Sequence, residues 1–217
     1  MYRERPVPGG VLWERAPVAA AGPQVILPDG SMDLIWTGGR LIVAGPDSRA
    51  QYATGAPGAS YTGVRFDPGL APLVLGVPAV ELRDARVAAE DVFDAGDLIA
   101  RLEYGEDPAE VLGAVPTPPA DRLIAAVVSR ARAGEGVAAI AGAVNLGERQ
   151  LHRRALASFG YGVKTLGRIF RMTRALDLAR GGVAYAEAAA RAGYADQAHL
   201  ARDVRGLAGT TMGALLS

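Results

Sequence analysis

The chain has no cysteine, two histidines and one lysine, Lys164. The first absence excludes disulfides, thiolate nucleophiles and thiolate metal sites. The second nearly removes imidazole chemistry. Both histidines, His152 and His199, stand late in the chain, so the N-terminal part cannot build the His-ligated centre of metal-dependent barrel oxygenases and isomerases. Long apolar runs are also missing. Half the residues are hydrophobic, yet no run approaches the ~20 residues of a membrane span and no signal-type segment opens the chain, so a soluble cytoplasmic protein without a membrane partner is expected. No paired nucleophile and base is visible. Asp29, Asp33 and Asp67 remain as carboxylates, of which Asp29 in Pro28-Asp29-Gly30 reads as a turn residue and Asp67 as a helix cap. Neither a cofactor nor a metal nor catalysis is expected, and an enzyme is the weakest competing class.

Net charge is absent as well, at +0, which would argue against a nucleic-acid partner if charge were evenly spread. It is not. Residues 1–115 hold 9 Arg against 16 Asp and Glu, net −7, and residues 116–217 hold 14 Lys and Arg against 7 acids, net +7. A basic C-terminal part supplies the counterion-release term that drives association with DNA, while the acidic part would be held away from the duplex.

The basic part contains two turn-and-helix units. Gly193 can take the positive φ that closes a helix over Tyr185–Ala192, and Asp196 can cap the next one by accepting from the His199 amide or its neighbour. On that helix Leu200, Val204 and Leu207 fall on one inward stripe, leaving Gln197, His199, Arg202 and Arg205 on other faces. Earlier, a short helix Val137–Val144, a turn at Asn145 and an N-cap at Gly147 precede a helix Glu148–Phe159. Leu151, Ala155 and Phe159 face inward there; Arg149, Gln150, His152, Arg153 and Arg154 face outward. Arg suits guanine O6/N7 and Gln suits adenine or phosphate, so both outward faces fit a major groove.

Glu148-Arg149-Gln150-Leu151-x-Arg153, Arg174-Ala175-Leu176 and Gly193-Tyr194-x-Asp196-Gln197-x-His199-Leu200 carry a resemblance to the two helix-turn-helix DNA-binding domain of AraC-type transcription regulators. The resemblance covers about residues 120–216. It implies sequence-specific binding of double-stranded DNA, with RNA polymerase as a further partner. In that family each reading helix enters one of two successive major grooves and a long helix bridges them. Here Thr165–Arg180 would be the bridge, about 24 Å long at 1.5 Å per residue, opened by Lys164, Thr165 and Arg168 as phosphate contacts. Three departures stand out: Ala155 and Val204 replace the family's aromatics, and Met212 replaces the proline after the final Gly-x-Thr. They thin the core, which leaves open a second reading, a ligand-binding or interaction module with degenerate DNA binding.

Residues 1–66 read as a small antiparallel sheet or barrel, with strands at Gly10–Trp13, Gln24–Leu27, Met32–Trp36, Arg40–Val43 and Ser60–Phe66 separated by Gly and Pro turns, among them Ala56-Pro57-Gly58. Short helices follow over Gly69–Leu75, near Pro78, over Gly96–Tyr104 and over Pro108–Val115. Pro116-Thr117-Pro118-Pro119 reads as a stiff linker, giving domains at 1–115 and 120–217 and an α+β class. Leu27-Pro28-Asp29-Gly30-x-x-Asp33-Leu34-Ile35, Gly63-Val64-Arg65-Phe66-x-Pro68-Gly69 and Leu75-Gly76-Val77-Pro78-Ala79-x-Glu81-Leu82 are similar to the uncharacterised N-terminal domain attached to many AraC-type regulators. That resemblance implies small-molecule sensing or homodimer formation. Trp13, Trp36, Tyr61 and Phe66 are most simply core residues. The functional alternative is an aromatic-lined effector pocket with Arg65 as anchor for an anionic or carbonyl ligand, although strand alternation turns Arg65 away from Val64 and Phe66.

Overall fold

The computed structural model describes residues 2–17, 24–53 and 58–216; the expected turn Ala56-Pro57-Gly58 falls partly outside them. The N-terminal half is built on strands β1 (Tyr2–Val7), β2 (Gly10–Arg15), β4 (Met32–Thr37), β5 (Arg40–Ala44), β7 (Tyr61–Phe66) and β8 (Arg86–Ala88), after β3 (Gln24–Ile26) and β6 (Gln51–Ala53) are set aside as a separate ribbon. The six form one open sheet in the order β1-β2-β7-β4-β5-β8, with neighbours antiparallel.

Alternation splits the sheet into two unlike faces. Leu12, Leu34, Leu41, Val43, Val64 and Phe66 are buried on one face. They pack against α1 (Ala71–Leu75), α2 (Gly96–Glu103), α3 (Pro108–Gly113) and the 3-10 turn Ala79–Leu82. The other face carries Trp13, Asp33, Ile35, Ile42 and Arg65. Three strands were not expected. β1 is exposed along almost its whole length, alternates Arg and Glu and contains Pro6, the pattern of a protected edge rather than of a buried strand. β6 and β8 have three residues each. Asp67 is not a helix cap: α1 starts at Ala71 with Leu70 before it, because Gly69 at φ +87° turns the chain out of helical geometry, and Asp67 instead closes a backbone turn with Leu70.

The C-terminal half is helical: α4 (Arg122–Arg132), α5 (Val137–Ala143), α6 (Glu148–Phe159), α7 (Val163–Arg180), α8 (Tyr185–Ala192), α9 (Gln197–Ala208) and α10 (Met212–Leu216). Asp121 caps α4 by accepting from Leu123 N at 2.8 Å. α7 runs through the centre and touches α4, α6, α8, α9 and α10. It starts two residues earlier than expected, and its 18 residues span about 27 Å. Leu166, Ile169, Met172 and Leu176 from α7 meet Leu151, Phe159, Leu200 and Val204 in a second core. Ala155, Val204 and Met212 all lie inside it.

The two halves touch along a continuous seam. Gly30 has φ +91°, and a β-carbon there would stand 2.9 Å from the Phe170 ring and 3.1 Å from Leu166 on α7. Leu27 packs into the helical core. Ala50 N donates to Leu207 O on α9 at 2.6 Å, and Arg83 donates to Gly160 O at 3.4 Å. Gly69 approaches Ile124 and Phe159.

Candidate nucleic-acid interface and effector cavity

Each helix-turn-helix unit is held by its turn. Asn145 takes φ +54° after α5, and the Gln150 side chain accepts from Gly147 N at 3.0 Å, so Gln150 spends its carbonyl oxygen on starting α6. In the second unit Gly193 takes φ +87° and the Asp196 carboxylate accepts from His199 N at 2.6 Å. These local contacts rotate Leu151, Ala155 and Phe159 inward on α6, and Leu200, Val204 and Leu207 inward on α9. Arg149, His152, Arg153, Lys164, Gln197, Arg202 and Arg205 are exposed. None of the exposed cations among them is in an ion pair among the described residues.

Besides Gln150, three of the expected contact residues, Arg154, His199 and Arg168, have partners within the fold, and Thr165 is set back from the surface. Arg154 pairs with the α4 cap Asp121 at 3.7 Å. His199 is half-buried, its ring edge-on to Tyr194 at 5.1 Å. Thr165 is half-buried. Arg168 is bound to Asp203 of α9, at 2.8 Å from Nε and 2.6 Å from Nη2. Asp203 is buried and also faces Arg171 at 3.5 Å and accepts from the Tyr194 hydroxyl at 3.1 Å, while Arg171 lies over the Tyr194 ring at 4.3 Å. Burial and the adjacent carboxylate raise the Tyr194 hydroxyl pKa well above that of an ordinary phenol. This clamp fixes α9 on α7 and hence the separation of the two outward faces. Sequence reasoning missed it, although Asp203 lies three residues after Leu200 and four before Leu207, on the inward stripe.

The second face of the N-terminal sheet, together with the β3–β6 ribbon, lines a half-open cavity of about 630 Å³. Trp13, Tyr61 and Arg65 line it as expected; Trp36 and Phe66 do not. Phe66 is 1 % exposed beneath the helices and Trp36 packs against that same core, since each is an even number of residues from a core position on its strand. Tyr2, Ile26, Ile35 and Ile42 complete the apolar lining. Arg65 stands directly across from Asp33 in the β4–β7 register. Its guanidinium lies 3.2 Å from Asp29, 3.6 Å from Asp33 and 3.5 Å from Glu4. Trp13 reaches across Gly63 to donate its indole N–H to Asp33 at 2.6 Å. Burial pushes the Asp33 carboxyl up to about 7, against the opposing pull of Arg65. Asp29 is indeed a turn residue, accepting from Ser31 N at 2.8 Å, and its other oxygen faces Arg65. Asp47 and Arg86 form a bidentate pair at 2.6 and 3.0 Å in the cavity wall. Among the described residues no cluster of three or more His, Asp and Glu is placed to hold a metal ion, and no helix is long and apolar enough to cross a membrane.

Two helix-turn-helix units with solvent-facing cations, set at either end of one bridging helix behind a ligand-sized cavity, define a DNA-binding transcription regulator. Residues 140–217 match the family described as Helix-turn-helix domain, and residues 11–88 match the Domain of unknown function (DUF6597). The matched helix-turn-helix domain, residues 140–217, is of AraC type. No curated protein matches the chain. Among solved structures, ToxT from Vibrio cholerae O395 is 11 % identical over 94 % of this chain and 96 % of its own, with a TM-score of 0.53. ToxT bound to (E)-4-(8-methylnaphthalen-1-yl)but-3-enoic acid is 11 % identical over 99 % of this chain and 98 % of its own, with a TM-score of 0.51. A probable AraC family transcriptional regulator from Rhodopseudomonas palustris CGA009 is 19 % identical over 44 % of this chain and 95 % of its own, with a TM-score of 0.39. At these identities the likeness to ToxT is one of fold.

Proposed function

We propose that the chain is an effector-responsive, sequence-specific regulator that works on double-stranded DNA beside RNA polymerase in the cytoplasm. Residues 120–217 bind the duplex, residues 1–115 hold the effector, and Pro116–Pro119 join them. The observation that carries this reading is the pair of outward faces. Arg149, His152 and Arg153 on α6, and Gln197, Arg202 and Arg205 on α9, point away from a shared core, and their arginines lack ion-pair partners among the described residues. Lys164 adds a phosphate contact beside α6. Arg168 and Arg154 are assigned to structure instead. The seam supports the link to the effector, because Asp29 of the cavity is next in chain to Gly30, which rests on Leu166 and Phe170 of the bridging helix. ToxT, of similar fold, accepts a small organic acid.

Selection of bound sequences from a random DNA pool tests the reading. A recovered site should carry two specified patches about ten base pairs apart, one lost in Arg153→Ala and the other in Arg202→Ala, each at about 1–3 kcal/mol of discrimination. Recovery of no preferred sequence, or equal weakening of specific and random DNA by both variants, would leave only electrostatic attraction and refute base reading by these helices.

A further inference from the structure

The β3–β6 ribbon is the part of the cavity wall that lies outside the six-stranded sheet. Among the described residues its strands pair only with each other, Gln24 with Ala53, Val25 with Tyr52 and Ile26 with Gln51. Gln24, Ile26 and Ala53 line the cavity. The same ribbon is tied to the second reading helix at two points. Ala50, one residue before β6, donates its amide to Leu207 O at 2.6 Å, and so satisfies a carbonyl of the last turn of α9. Tyr52 sets its hydroxyl against Gly209, the left-handed C-cap of α9, 3.4 Å from where a β-carbon would stand.

The first reading helix stands on other ground. Gly160, the C-cap of α6, lies so close to Pro46 and to the Ala79 carbonyl that a β-carbon would meet them at 2.6 and 3.1 Å. Ala79 and Leu82 belong to the core on the far face of the sheet from the cavity. Pro46 is bonded to the segment that leads into β8: Asp84 N donates to Pro46 O at 3.1 Å, Gly45 N to Ala85 O at 3.0 Å, and Ser48 donates both its amide and its hydroxyl to Asp84 at 2.7 Å. A ligand cannot shift this footing without breaking those bonds. Gly30 bears on α7, which serves both units and favours neither.

We infer that the effector acts on the second unit alone: a ligand in the cavity moves the ribbon, the ribbon moves the C-terminal end of α9, and α6 keeps its place. This rests on the effector-cavity and base-reading assignments above. The Asp203 clamp makes α9 a lever, because it holds the helix to α7 between the ribbon contacts and the reading end. Leu207 lies four residues beyond Asp203 and Gln197 six before it, arms of about 6 and 9 Å. A displacement at Leu207 reaches Gln197 reversed and about 1.5-fold larger.

The test uses the full chain and the site recovered from the random pool, with each specified patch scrambled in turn. Bulk placed in the cavity stands in for the ligand, as Ile42→Trp, or as Ile35→Trp if the first variant does not fold; both residues line the cavity from the sheet side. Ala50→Pro, which has no N–H to donate, severs the ribbon from α9, and Tyr52→Ala replaces it if Ala50→Pro does not fold. The added bulk should change discrimination at the patch lost in Arg202→Ala by at least about fivefold, and leave the patch lost in Arg153→Ala within about twofold. In the severed background the same bulk should change neither. A change at both patches, a change at the Arg153 patch alone, or a change that survives severing overturns the inference and leaves the effector cavity standing. No change at either patch overturns the inference and the effector assignment together. Recovery of no preferred site overturns base reading, and the inference with it.

Discussion

Asp203 gives the sharpest test of how the reading helices are held. Its carboxylate is 7 % exposed and answers Arg168, Arg171 and the Tyr194 hydroxyl. Asp203→Ala removes one acid and leaves two guanidinium groups and a hydroxyl facing a small void. Breaking a buried ion pair costs roughly 3–5 kcal/mol. Here the arginine side chains keep 39 % and 28 % exposure, so water reaches them and the cost drops to about 2–3 kcal/mol. For a chain of this size that is a fall in Tm of about 4–12 °C, measured by calorimetry. Asp203→Asn, which keeps an acceptor and the volume, should lose about half as much. A double-mutant cycle with Arg168→Ala should return at least about 1 kcal/mol of coupling. The same cycle decides what Arg168 does. If Asp203→Ala changes stability by less than about 0.5 kcal/mol, and Arg168→Ala weakens DNA binding with stability intact, the clamp is incidental and Arg168 is the phosphate contact that its position at the start of α7 suggests.

Three further outcomes are expected. Gly30→Ala puts a methyl group against Phe170 at a φ of +91°, so it should cost about 1–3 kcal/mol in urea unfolding and loosen the seam; an unchanged midpoint would show that the turn does not bear on α7. Ala155→Phe, which restores the family's aromatic at a site only 1 % exposed, should overpack the core and destabilise by about 1–3 kcal/mol; a stabilised variant would mean the core is hollow there. Asp33 binds its proton more tightly folded, with a pKa of about 7, than unfolded, near the ordinary carboxylate value. Its contribution therefore favours the folded state at low pH and is lost as pH rises to about 7. Asp33→Asn should raise Tm more at pH 8 than at pH 4, and an equal shift at both would place the carboxyl in water.

The helices were legible where polar punctuation and apolar spacing agree. Gly147 before Glu148 and the Gly193–Asp196 turn gave α6 and the boundary between α8 and α9, because caps act within one turn of chain. β1 was illegible because an edge strand buries almost nothing and leaves no alternating apolar mark. In the cavity, alternation alone separated Arg65 from Phe66, yet the acids around Arg65 come from β1, the turn before β4, and β4 itself. Their convergence depends on strand order, which a single sequence does not carry. Asp203 shows the same limit: its inward position could be read from spacing, but its partners required the crossing of α7 and α9.

Gly30, Leu27 and Gly69 rest on Phe170, Leu166, Phe159 and Ile124. The helical half therefore has an apolar sole, and the N-terminal half is its only cover among the described residues. Cutting at Pro116–Pro119 would release a fragment that has both reading helices and also a wet hydrophobic patch, prone to pairing with itself. Nor can the N-terminal half be exchanged freely for another. A replacement must bring a glycine turn of the same shape, so the two halves constrain one another's sequence across the linker that joins them.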